Sequence, residues 1–423
     1  MNKLPFCLVI YLFLNLIATS KAVSQDLQHY YNSAKAAYGN KDYAEFYKNI
    51  VEANNLHPYH QVILYQLGIA AAHVDRSEEA LSALRKAIYI DASFDLNIED
   101  FEPIRNTAEF KSLLNLQQEL QKVEIQSDTA FTIKDNGSHI ESITIDESNN
   151  AFYFASIHKK KIMKRDKNGK LTDFTKSGEF GLSAVFDLQI DKENNILWAC
   201  ASPMPEMDGY DSTLHSAVFK FNLKNGALLG KYKTQETTIS VFGDLTINNE
   251  GQVFISDGKT NTIFIVDEAS MSLQPYFTSE EFWNIQGITF SSDGRYLFIA
   301  DYIKGPYQLD TSNRKLIQLE IDIKDSLKGI DGLLYFNNSL IAIQNGVIPN
   351  RVTQYTLDLS LTKIQKASII DRKHPAFGEP TMGCLNKDQL YYVANSSWGA
   401  YDENFQLETD KIHDLVILST LLK

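Results

Sequence analysis

Three residues with oxygen-bearing side chains, Glu141, Gln286 and Asp331, open three copies of one short pattern. The copies read "ESITIDESNNAFYFAS", "QGITFSSDGRYLFIAD" and "DGLLYFNNSLIAIQ", and three more begin at Phe186, Gly243 and Pro380. If equivalent first residues converge on one axis, two carboxylates and an amide oxygen meet there. Hard oxygen donors suit calcium, which takes roughly six to eight of them with loose geometry. No histidine holds a first position, which argues against zinc. The same residues would equally fill a channel with polar side chains and water. Glu379 stands one residue before Pro380, where it either adds a carboxylate to the channel mouth or caps a turn. Trp398, after the second strand of that copy, either stacks on a sugar-like ring or packs under a lid.

The elements that must position these residues are short strands. Each copy alternates apolar and polar residues around a turn signal such as "DESNN", "DKENN", "NNEG" or "SSDG". Successive first residues lie 45, 57, 43, 45 and 49 apart, room for four short strands per copy. Six such units predict a mainly β domain, a six-bladed β-propeller, over residues 127–423. Its innermost strands line the channel with their first residues at one mouth. The turn residues Asp257, Asp301, Asn345 and Asn395 are expected to ring that mouth. "FTI" (131–133) and "DLVILSTLL" (414–422) are expected to complete one blade together, leaving no open edge. The long second spacing holds an insertion, "SPMPEMDGYDSTLH", expected to fold over the mouth as a lid; His215 at its end is a candidate substrate contact.

The first 24 residues read as a secretory leader: Lys3, an apolar run over 6–17, then small residues. That run is too short to span a bilayer, so the expectation is a secreted or periplasmic protein without a membrane span. Cleavage would leave 38 of the 40 basic residues against 53 acidic ones, which excludes nucleic acid as a natural partner. The single basic run, "HKKKIMKR", reads as a solvated hairpin edge. Cys200 and Cys384, far apart in apolar strands, read as buried thiols. Residues 25–126 follow helical spacing with a period of 34, which sets Ala34 against Gly68, Phe46 against Ala80 and Ile50 against Leu84. "YQLGIAAAHVDRSEEALSALRKAIYID" resembles a tetratricopeptide repeat, so an all-α helical-repeat domain precedes the strands. It reads as a docking or spacer module for a protein partner.

The blade openings "ESI", "QGI" and "DGLL" resemble those of the gluconolactonase/regucalcin (senescence marker protein) family. That family holds a divalent cation on an axial Glu, Asn and Asp, which fall on Glu141, Gln286 and Asp331. A further Asn falls on Gly243, followed by a matching Asp244. The resemblance implies a metal-dependent hydrolase of a lactone or small ester. Calcium would polarise the carbonyl, and Asp331 or Asp244 would take a proton from the attacking water. "DLQIDKENNILWACAS" also resembles the corresponding blade of yellow/royal-jelly proteins, ligand binders of the same architecture. The alternative is therefore a non-catalytic propeller that binds a ligand or partner. No G-x-S-x-G elbow, H-E-x-x-H or phosphate loop occurs.

Overall fold

The computed structural model describes residues 21–134, 137–235, 239–322 and 325–423. The expected leader lies outside them up to residue 20. The chain divides into two compact units, Met1–Lys122 and Val123–Lys423.

The first is a helical region of five helices: α1 (Lys21–Gly39), α2 (Tyr43–Leu56), α3 (Gln61–His73), α4 (Ser77–Ile90) and α5 (Ala108–Leu120). Asp42 and Thr107 cap α2 and α5 by accepting from the amides of Glu45 and Phe110 at 3.1 and 3.2 Å. Phe46, Ile50, Leu64, Leu84, Phe101 and Phe110 fill the core. A β-carbon on Gly68 would lie 2.5 Å from the Leu84 side chain, so α3 and α4 touch where the sequence is smallest.

The second unit is mainly β, in a propeller-like arrangement of antiparallel meanders. One runs Ile140–Asp146, Ala151–Ser156, Lys161–Arg165, Leu171–Asp173; another runs Ile285–Phe290, Tyr296–Asp301, Gly305–Asp310, Lys315–Gln318. A third, starting at Ile330–Phe336, gains the short strands Glu124–Ile125 and Glu320–Ile321 at its outer strand. An eight-stranded sheet joins two meanders, because Leu228–Thr234 pairs in parallel with Ser272–Thr278. In the remaining sheet Leu415–Leu421 pairs with Asp128–Ile133, so the two ends of the unit share one sheet, as expected.

The turn signals act through two devices. An Asp or Asn at the strand end accepts from following amides, as Asp146 does from Ser148 at 3.0 Å and Asp191 from Asn194 at 3.0 Å. A later residue then takes left-handed backbone, Asn150 with φ 55° and Asn195 with φ 55°. The core lies between neighbouring sheets; Ile341, Ile343, Leu390, Tyr392 and Leu418, from two of them, form one such layer. Cys200 and Cys384 are buried and free.

Candidate functional site

Each of the first five innermost strands slips register near its start. The slips fall between Ile140 and Ser142, Val185 and Asp187, Phe242 and Leu245, Ile285 and Ile288, and Ile330 and Gly332. The residues left out of register are Glu141, Phe186, Gly243 with Asp244, Gln286 with Gly287, and Asp331. A bulge takes a side chain out of the strict in-out alternation and re-aims it. The pattern's odd first residue is therefore a bulge residue in every copy but the last, where Thr381 donates to the Glu141 carbonyl at 2.6 Å.

Glu141 is buried. Its Oε2 accepts from Ser396 Oγ at 2.8 Å and from the Trp398 indole N–H at 2.9 Å. Burial, with the charges of Asp331 and Glu379, nevertheless holds its carboxyl well above the usual range. Asp331 is held at about 6 by burial, against the hydrogen bond that Asn345 Nδ2 donates to its Oδ2 at 2.7 Å. Glu379 is half-buried and held at about 7 by burial and the Asp331 charge. Three carboxyls thus stand within electrostatic reach of one another. The charges that act on them are mainly their own.

Gln286 donates Nε2 to Asn284 Oδ1 at 2.9 Å, which fixes the direction of its amide oxygen. A β-carbon on Gly243 would lie 2.8 Å from that oxygen. The longer amide at 286 thus reaches over the space that a side chain at 243 would take. Gly243 and Gln286 therefore exchange volume between neighbouring strands.

Asp244 faces another neighbour. Its Oδ2 accepts from the Ile288 amide at 2.7 Å, and its carboxyl is held far above the usual range by burial and by the charge of Asp187. Asp187 in turn accepts from the Leu245 amide at 3.3 Å. Asp187 and Asp244 therefore each tie one inner strand to the next. The turn residues also divide. Asp257 accepts from the amides of Val241, Lys259 and Thr260, and Asp301 from those of Trp283, Asn284, Ile303 and Lys304, so both brace loops. Asn395 braces Asp414 and Val416. Asn345 alone of the four bonds a bulge residue.

In the insertion after Ser202, Met204 and Met207 pack in one apolar cluster with Phe186 and Trp398, while His215 is exposed. Glu206 is buried, and burial raises its carboxyl. Sequence reading missed His139, which is fully buried and held neutral, its imidazole lowered to about 3 by burial and His158. His139 Nδ1 is hydrogen-bonded to the Tyr401 hydroxyl at 2.8 Å, and its Nε2 lies 3.9 Å from Glu141 Oε2. It stands two residues before Glu141, yet no pattern marks it. Among the described residues no three His, Cys, Asp or Glu side chains converge at metal-holding spacing. The candidate donor set is thus two carboxylates and one amide.

No family model matches the sequence, and no curated protein does. Solved structures resemble the fold at low identity. Selenomethionine-substituted virginiamycin B lyase from Staphylococcus aureus is 14% identical, TM-score 0.48, over 71% of this chain and 100% of that one. A gluconolactonase from Xanthomonas campestris is 10% identical, TM-score 0.48, over 71% and 97%. The PQQ-bound aldose sugar dehydrogenase from Streptomyces coelicolor is 11% identical, TM-score 0.47, over 71% and 98%. Likeness this distant carries no statement about activity. Among the described residues no helix is long and apolar enough to cross a membrane.

Proposed function

We propose that the β unit is a six-bladed propeller whose acidic mouth binds a divalent cation, calcium by donor chemistry, and hydrolyses a lactone or small ester outside the cytoplasm. The observation that carries the reading is the group of carboxyls, buried Glu141 and Asp331 with half-buried Glu379, whose charges repel one another. A buried charge is stable only when paired, coordinated or neutralised. Glu141, Gln286 and Asp331 fit a calcium ion as hard oxygen donors, and each is oriented by a neutral partner: Trp398 and Ser396, Asn284, and Asn345. Such an ion, when bound, supplies Lewis-acid polarisation of the ester carbonyl.

The chain's own residues do the rest. Glu379, half-buried and titrating near neutrality, takes the proton of the attacking water. Asp244 is not available for that step, because the Ile288 amide and Asp187 occupy its carboxyl. Trp398 forms an apolar wall with Phe186, their rings 6.3 Å apart, which keeps bulk water from one side of Glu141.

The test is calorimetric titration of EDTA-stripped protein with calcium, followed by a panel of sugar lactones. One site is expected, weakened at least about tenfold in Glu141→Gln and Asp331→Asn. Lactone hydrolysis is expected to fall by about 100-fold in Glu379→Gln. One observation favours the alternative, a non-catalytic ligand-binding propeller with a tetratricopeptide-like docking arm: Ser396 and Trp398 already satisfy Glu141 Oε2. Absence of calcium heat in the wild type would select that reading.

A further inference from the structure

We infer that Tyr302 and Asn345 are positioning residues that aim Asp331 into the channel mouth, an inference that rests on the proposed cation site. Tyr302 donates its hydroxyl to Asn345 Oδ1 at 3.0 Å, and Asn345 donates Nδ2 to Asp331 Oδ2 at 2.7 Å. The three form a directed chain. A carboxamide can turn end for end, but the turned Asn345 would set its oxygen against a carboxylate oxygen. The Tyr302 O–H, delivered to Oδ1, holds the favourable orientation. Asn345 thereby occupies one oxygen of Asp331 and leaves Oδ1 for an ion. A neutral amide does this without cancelling the charge that an ion needs, as a lysine or arginine would.

Tyr302 is itself pinned. Its amide donates to the Asn284 carbonyl at 2.8 Å, and its carbonyl accepts from the Gly329 amide at 2.7 Å. The preceding Asp301 carboxylate gathers four amides of the flanking turns. The ring lies in space left by a missing side chain, since a β-carbon on Gly346 would stand 2.5 Å from Tyr302 Cζ and 2.6 Å from its hydroxyl. Asn284, which anchors the Tyr302 backbone, also accepts from Gln286 Nε2. One loop therefore orients two of the three proposed donors. A network that served stability alone would need neither this shared anchor nor a chain ending on a carboxylate at the mouth.

The experiment uses the full-length chain as wild type, Tyr302→Phe, Asn345→Ala and Gly346→Ala. Gly346→Ala keeps both hydrogen-bonding groups but crowds the ring together with the Gly329 backbone, whose Cα a β-carbon there would meet at 2.5 Å. Each is titrated with calcium, melted thermally, and observed by carbon NMR at the Asp331 carboxyl. Calcium affinity is expected to fall about tenfold or more in Tyr302→Phe and Gly346→Ala, with Tyr302→Phe melting close to the wild type. Affinities within about twofold of wild type in all three variants would overturn the inference. Should the wild type take up no calcium, the cation reading fails by itself, and the Asp331 carboxyl signal decides the positioning role. A signal moved by Tyr302→Phe supports it; an unmoved signal overturns it. If Tyr302→Phe does not fold, the same two readings of Asn345→Ala decide.

Discussion

Burial and the charge of Asp331 hold the Glu379 carboxyl at about 7, and burial holds Asp331 at about 6, against ordinary values of 4.5 and 3.8. The native state then binds more protons than the unfolded chain between those ordinary values and about 7. Stability contributed by these groups is full below the unfolded values and is lost as pH rises through the native ones. The melting temperature should therefore decline over that window in the wild type and decline less in Glu379→Gln, with the variant more stable above about pH 7. Parallel melting curves for the two proteins would contradict this. Calcium added at pH 8 should recover the loss if the mouth is a cation site. At this scale the sequence disclosed the residues that begin each repeated pattern, since alignment on the turns finds them. It did not disclose their partners. Ser396 meets Glu141 across 255 positions, and Tyr302 meets Asn345 across 43, and no local pattern encodes such contacts.

Between adjacent inner strands the space over Gly243 is shared with Gln286. Gly243→Ala should cost little stability, because the atom it meets is the end of a flexible side chain, but it should swing the amide oxygen and weaken calcium binding. Gln286→Asn, one methylene shorter, should be better tolerated in the Gly243→Ala background than alone. A double-mutant cycle in calcium affinity measures this, and simple additivity would refute the exchange of volume. The ties that Asp187 and Asp244 make between inner strands serve a different purpose. Asp244→Ala strands the Ile288 amide, which should cost about 1–3 kcal/mol by urea unfolding whatever its effect on activity. Strand positions and turns were legible here because alternation and Asx chemistry are local. The bulges were not, since alternation shows which face a residue takes and not which residue slips out of register. Asp244 slips out of register together with Gly243, yet its carboxyl accepts from the Ile288 amide of the next inner strand.

Across the whole β unit, closure depends on Leu415–Leu421 lying between Asp128–Ile133 and Gln389–Val393. A chain ending at residue 414 exposes two strand edges at once and should be recovered aggregated rather than as a monomer with wild-type near-ultraviolet circular dichroism. This closure was readable in advance because the strand at residues 131–133 precedes the first copy of the pattern, and the last copy lacked an outer strand of its own. The account stands on three of the bulge residues, two carboxylates and an amide, sharing one ion. Anomalous diffraction from a crystal grown with manganese in place of calcium tests that most directly. The account predicts a peak bounded by Glu141, Gln286 and Asp331 that disappears in Asp331→Asn; a mouth without a peak, or a peak elsewhere in the β unit, would contradict it.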